Sequence, residues 1–209
     1  MDLINLGFAA LGGILIAAYF YVMRLPIKWE QRDIRVEVNP LVISISLLIS
    51  SLAAFLISLE GTAISAIALG AIFFAALIAS YVDWYTCKIP NELIVAPLVV
   101  SVAAILFEFN LQQILIMLLT LGAILFASVV TNFITIGKLG GGDIKLLLVF
   151  GLISYWYNPM NIFYGMLISF ILQLVLRVIW NKKNANSDFR GAPFGYALSL
   201  GIIQSLLIF

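Results

Sequence analysis

The chain has 209 residues, 64% of them apolar and 10% charged, with 11 basic residues against 10 acidic ones. A soluble domain carries roughly 25% charged and 45–50% apolar residues, and a globule of this length cannot hide the excess apolar surface from water. The composition excludes a soluble domain, a disordered chain and a nucleic-acid binder with a basic face. It points to an all-α polytopic membrane protein, because the uniform alternation of a β-barrel is missing.

There is no histidine, which excludes Ser-His-Asp and Cys-His catalysis and histidine-ligated metals. A single cysteine, Cys87, excludes an intrachain disulfide and a thiolate metal site. No metal and no cofactor is expected. Hydrolytic chemistry would have to come from carboxylates, Lys, Ser, Thr or Tyr.

A helix needs about 20 apolar residues to cross the hydrocarbon layer. Eight candidate spans follow in chain order: residues 3–23, 41–59, 62–82, 93–107, 112–136, 144–155, 162–180 and 192–209. The second and third form one apolar run broken only by Glu60-Gly61, which reads as a tight helical hairpin turn. The loop 24–39 carries Arg24, Lys28, Arg32 and Arg35 against Glu30, Asp33 and Glu37, and reads as an amphipathic interfacial helix against lipid head groups. The sixth span is short and ends in Tyr155-Trp156-Tyr157, as an interfacial aromatic belt would. Two regions result: 1–40, a first span with its short loop, and 41–209, a membrane-embedded domain.

All 11 basic residues fall at or near the junctions of spans one and two, three and four, five and six, and seven and eight. The alternate loops hold Glu60 and Glu108 and no base. By the positive-inside rule the basic loops face the cytoplasm and both termini lie outside. The first span lacks a basic leader region and a cleavage site, so it reads as a permanent anchor.

Acidic residues at membrane depth need a reason. Asp83 closes the third span and Asp143 opens the sixth, directly after Gly140-Gly141-Gly142. This topology puts both on the cytoplasmic side at similar depth. Asp83 stands at a helix carboxy end, where the dipole and burial should raise its pKa; Asp143 stands at an amino end, where it could cap the helix and its pKa should fall. Opposed environments of this kind suit an aspartic-protease pair, one carboxyl ionised and one neutral. The plain alternatives are a helix cap and a marker of the water boundary. Pro90 cannot continue the third helix, and Asn91 can cap the fourth. Lys145, two residues after Asp143, could hold Asp143 ionised, meet an acidic group of a substrate or a lipid phosphate, or be one more cytoplasmic-side lysine.

The run Asp83-Trp84-Tyr85-Thr86-Cys87-Lys88-Ile89-Pro90-Asn91 resembles the first active-site motif of prepilin peptidases. Gly140-Gly141-Gly142-Asp143-Ile144-Lys145 resembles the second, the GxGD motif followed by lysine. Ala192-Pro193-Phe194-Gly195 resembles the Pro-Phe-Gly element that opens the family's last span. The resemblance implies an aspartic membrane endopeptidase of the cell membrane. Such an enzyme removes the leader of type IV pilin-like precursors at the cytoplasmic face, in pilus assembly or protein secretion. Asp83 and Asp143 then take the catalytic positions, with Gly140, Gly142, Lys145, Pro90, Asn91, Pro193, Phe194 and Gly195 matching supporting motif positions. Expected partners are precursor proteins and membrane lipids.

Tyr21-Val22-Met23-Arg24-Leu25-Pro26 resembles the end of the first span in long bacterial members. Their following loop carries paired zinc-binding cysteines, and they also methylate the product. The loop here has no cysteine, so peptidase activity alone is expected. Presenilin-like proteases pair GxGD with Tyr-Asp and Pro-Ala-Leu, where this chain has Tyr-Val-Asp and Pro-Phe-Gly. The competing readings are a small proton-coupled carrier using the two aspartates, disfavoured by acids near one face and no repeat, and an inactive family member.

Overall fold

The computed structural model describes residues 2–22, 28–31, 34–86, 89–134, 140–183 and 195–208. Among them, eight α-helices run up and down one bundle: α1 (Asp2–Val22), α2 (Pro40–Ile57), α3 (Ala63–Thr86), α4 (Glu92–Phe107), α5 (Leu111–Ile134), α6 (Gly141–Gly151), α7 (Pro159–Lys183) and α8 (Gly195–Ile208). Each overlaps one of the predicted apolar runs. Four of them, α2, α3, α5 and α7, are long and apolar enough to cross a membrane; α1, α4 and α8 hold shorter apolar stretches.

The boundaries follow from local chemistry. Asn39 is extended, and its Oδ1 accepts the backbone N–H of Leu41 at 2.6 Å and of Val42 at 3.2 Å, while Pro40 takes the first helical position. Asn158-Pro159 starts α7 in the same way, with Asn158 Oδ1 accepting from Met160 N–H at 3.0 Å. Between α2 and α3 lies the expected tight turn. A 3-10 turn, Ser58–Glu60, leads into Gly61, whose N–H donates to Ser58 O at 2.9 Å.

Helix α3 is the axis of the bundle. Its apolar window is 78% buried, against 22–28% for the windows of α2, α5 and α7. Small residues account for this, since they let neighbouring backbones come close. A Cβ on Gly12 of α1 would run into the Ile67 carbonyl of α3, and one on Gly70 into the Ala9 carbonyl of α1. Leu69, Ile72, Phe73 and Phe74 are fully buried around that crossing. At the α7–α8 crossing a Cβ on Gly165 would stand 2.8 Å from Ile202 Cα.

Two expectations fail. The loop expected to be an amphipathic helix is instead a β-hairpin, β1 (Lys28–Gln31) against β2 (Ile34–Glu37). Ile34 and Val36 alternate with Arg35 and Glu37, a period of two in β-branched residues that suits a strand better than a helix. The register sets Lys28 opposite Glu37 and Glu30 opposite Arg35. The expected aromatic belt is not a belt either. Tyr155 is 3% exposed and its hydroxyl donates to the Glu108 carbonyl, while Trp156 Nε1 and Thr62 Oγ1 donate to the Glu108 carboxylate. The polar tips of buried aromatic rings need partners, and Glu108 between α4 and α5 supplies them.

These bonds close the bundle end that holds the α2–α3 turn. The ends of α3 and α4 that flank Ile89, and the starts of α6 and α8, gather at the opposite end.

Candidate active site

Asp83 and Asp143 come together at that opposite end. Helix α3 continues to Thr86, so Asp83 lies inside its last turn, 4% exposed. Its Oδ2 accepts the backbone N–H of Gly195 at 2.8 Å. Gly195 is the first residue of α8, and its N–H has no partner inside its own helix. The Pro-Phe-Gly element therefore reaches the first aspartate through its glycine backbone. Pro193 and Phe194 lie outside the described residues, as do Cys87 and Lys88.

Asp143 is not the cap of α6. Gly140 caps it, with φ −68° and ψ 142°, and Asp143 is the third helical residue. A carboxylate there reaches back to the cap residue, as in one half of a capping box, and the Gly140 backbone hydrogen-bonds to it. That bond and the helix dipole should lower its pKa. The opposite prevails: the Asp143 carboxyl, which stands just ahead of the apolar run 144–155, is pushed up to about 7. Burial is the larger cause and the negative charge of Asp83 the second. The fall expected from the sequence is thereby corrected, and the two carboxyls sense one another.

The glycines before Asp143 have unequal duties. A Cβ on Gly140 would stand 2.9 Å from Asp143 Oδ2, and one on Gly142 would stand 2.9 Å from Ile89 Cβ. A Cβ on Gly141 would meet nothing within 4 Å. Ile89 also lies 3.1 Å from the position of a Cβ on Gly195, so all three motif segments meet around this one buried side chain. The expected result is that Gly141→Ala leaves activity intact and stabilises the exposed helix start by about 0.5–1 kcal/mol. Gly142→Ala should push α6 away from Ile89 and lower activity by about tenfold or more, since a shift on the order of 1 Å can cost 100-fold. Paired cleavage assays and thermal melts check this; equal effects of the two variants would overturn it.

Pro90 sits in the short connection to α4, as expected. Asn91 does not cap α4: its backbone is helical and its side chain makes no capping bond. Its Oδ1 instead accepts from Lys145 Nζ at 2.7 Å. Lys145 thus ties the start of α6 to the start of α4, a role that none of the three sequence readings foresaw.

Sequence reasoning also passed over Ser80 and Ser199. Both are buried and line a cleft of about 420 Å³, with Ser46, Tyr81, Trp84 and Leu200. The available signal was a serine one turn before an in-membrane aspartate, which looks like any other small residue of an apolar helix.

No curated protein and no solved structure matches the chain. A family model does match: the type IV leader peptidase family, over residues 70–178. That stretch is just over half of the chain and contains Asp83, the Ile89-Pro90-Asn91 connection, the three glycines, Asp143 and Lys145. The family and the apolar helices together make this a multi-pass membrane protein of leader-peptidase type. With its two aspartates at one end of the bundle and its sequence matched from the middle of α3 into α7, the chain belongs to the type IV leader peptidase family.

Proposed function

We propose that the protein is an aspartic endopeptidase of the GxGD class, with Asp83 and Asp143 as its catalytic pair. Its substrates are type IV pilin-like precursors, cut at the cytoplasmic face of the cell membrane. The observation that carries this reading is the mutual influence of the two carboxyls: burial and the Asp83 charge hold the proton on Asp143, while Asp83 Oδ2 accepts an N–H. One carboxyl is an acid and the other is oriented as a base, the division of labour an aspartic protease needs.

In this reading Asp83 takes a proton from water as the water oxygen attacks the scissile carbonyl carbon. Asp143 gives its proton to the carbonyl oxygen. The tetrahedral diol then collapses as the amide nitrogen receives the proton held by Asp83 and a hydroxyl proton returns to Asp143. The pair leaves each cycle with the one proton it began with.

Eight crossings with both termini outside accompany the proposal. Reporter fusions after Asn181 should report cytoplasm, and fusions after Glu60 and Glu108 the outside. A cytoplasmic report after Glu108 would reverse the face on which the aspartates work.

The decisive experiment is to reconstitute the purified protein with a leader-bearing type IV pilin-like precursor and sequence the new amino terminus. Cleavage at the leader boundary supports the reading; an intact precursor sinks it. The same assay with S-adenosylmethionine should show an unmodified amino terminus, because one cysteine cannot build the thiolate zinc loop of the long members. A mass gain of one methyl group would show otherwise.

A further inference from the structure

Two buried serines lie outside every recognised motif and face each other between two helices. Ser80 on α3 and Ser199 on α8 are 3% and 1% exposed. A serine inside an apolar helix ordinarily bonds back to the carbonyl four residues earlier, and both have that option: Ser80 Oγ lies 2.6 Å from Ala76 O, and Ser199 Oγ lies 2.9 Å from Gly195 O. Here, however, they also face each other, Oγ to Oγ at 2.8 Å. Ser80 Oγ reaches Gly195 O at 3.1 Å, and Ser199 Oγ reaches Ala76 O at 3.3 Å.

Each hydroxyl has one proton to give. Were both protons spent on their own helices, two bare oxygen lone pairs would confront each other at 2.8 Å. At least one proton therefore crosses between the helices. Whichever one crosses, the first turn of α8 is fastened to α3.

The fastening acts on one peptide unit in particular. The Gly195 carbonyl is within reach of both hydroxyls, and the Gly195 N–H donates to Asp83 Oδ2 at 2.8 Å. Ser80 and Asp83 are three residues apart on α3, so they lie on one side of the same helix. One rigid helix thus carries both the anchor for Gly195 and the carboxylate that Gly195 orients. The seat is close: a Cβ on Gly195 would stand 3.2 Å from Asp83 Oδ2.

We propose that Ser80 and Ser199 are positioning residues that set the Gly195 N–H on the Asp83 carboxylate. They act through the Gly195 peptide unit, not on the reacting atoms. The proposal rests on Asp83 being catalytic, and its test separates the two ideas.

The test compares the double variant Ser80→Ala/Ser199→Ala, the single variant Ser199→Ala and the conservative variant Ser199→Thr with the wild type. It measures kcat, KM and folded fraction, together with the Gly195 amide resonance in protein labelled with ¹⁵N-glycine and assigned by its loss in Gly195→Ala. Removing the tie should lower kcat per folded molecule by about 10- to 100-fold, the scale of a misplacement on the order of 1 Å. KM should stay within about twofold, as for an interaction that acts only in the transition state. The Gly195 amide proton should move upfield as its charge-assisted bond lengthens. Ser199→Thr should leave both near their wild-type values, because it keeps the hydroxyl.

A double variant with unchanged kcat overturns the proposal, and so does a fall in kcat with the Gly195 resonance unmoved. If the double variant fails to insert, Ser199→Ala is read against the same outcomes. The resonance reports the tie without reference to catalysis. A shifted resonance with no activity to measure in the wild type would therefore fault the catalytic reading and leave the tie standing.

Discussion

Asp83→Asn and Asp143→Asn should each abolish precursor cleavage while the protein still inserts and folds. Asparagine matches aspartate in shape but can neither hold nor release the proton. General acid and general base contributions are each worth about 100- to 10,000-fold, and a two-carboxyl mechanism loses one with either variant. The fold should not suffer. At position 83 the amide oxygen of asparagine can still accept the Gly195 N–H that now meets Oδ2 at 2.8 Å. At position 143 the same oxygen can still reach back to the Gly140 backbone. Each substitution also removes an ionisable carboxyl from a site where burial and the neighbouring carboxyl oppose charge, a strain that functional sites carry at some cost in stability. The melting temperature of both variants should therefore equal or exceed that of the wild type. Either variant processing precursor near the wild-type rate would sink the paired mechanism. Loss of activity with a lower melting point would reassign the residue to holding the fold.

The elements that punctuate the chain were legible before the structure. Glu60-Gly61, Pro90 and the glycine run before Asp143 interrupt apolar stretches with residues that cannot continue a helix or that favour its start, and helices begin or end at each of them. The two aspartates were legible because charge inside apolar sequence is costly and therefore rare. What hid from the sequence was partner choice. Asn91 has the right residue type and place for a cap, yet its oxygen goes to Lys145 on another helix. Asp143 has the right place for a lowered pKa, yet burial and Asp83 outweigh the helix dipole. Tyr155 and Trp156 look like lipid anchors, yet they turn to Glu108, 47 and 48 residues earlier in the chain. Each outcome depends on a neighbour supplied by tertiary packing. The 28–37 hairpin was missed for a different reason: its charges suggested an amphipathic helix, and the period of two in Ile34–Glu37 was given too little weight.

The pH dependence of cleavage should carry the mark of this pair. With Asp143 raised to about 7, its carboxyl is protonated below that pH and ionised above it. A mechanism that needs Asp143 as the acid is therefore intact on the acid side of this midpoint and fails as pH rises through it. Above about 7 the rate should drop close to tenfold per pH unit, the slope for loss of one proton. At low pH the rate falls again once the pair takes up a second proton, and the two limbs belong to the pair jointly. Two variants separate the causes. In Asp83→Asn the second raising cause disappears while burial stays, so Asp143 should titrate below about 7 yet above an ordinary aspartate. Because that variant is inactive, the shift is read from the carboxyl carbon of labelled Asp143 by NMR. In Lys145→Gln the alkaline limb should stay where it is, because the ammonium is committed to Asn91 Oδ1 at 2.7 Å; the expected effect is a modest loss of rate as the starts of α4 and α6 loosen. A limb that moves to higher pH in Lys145→Gln would restore the lysine as a charge partner of Asp143. A wild-type rate that stays flat well above pH 7 would remove Asp143 from the role of acid, and leave its raised pKa a property of burial alone.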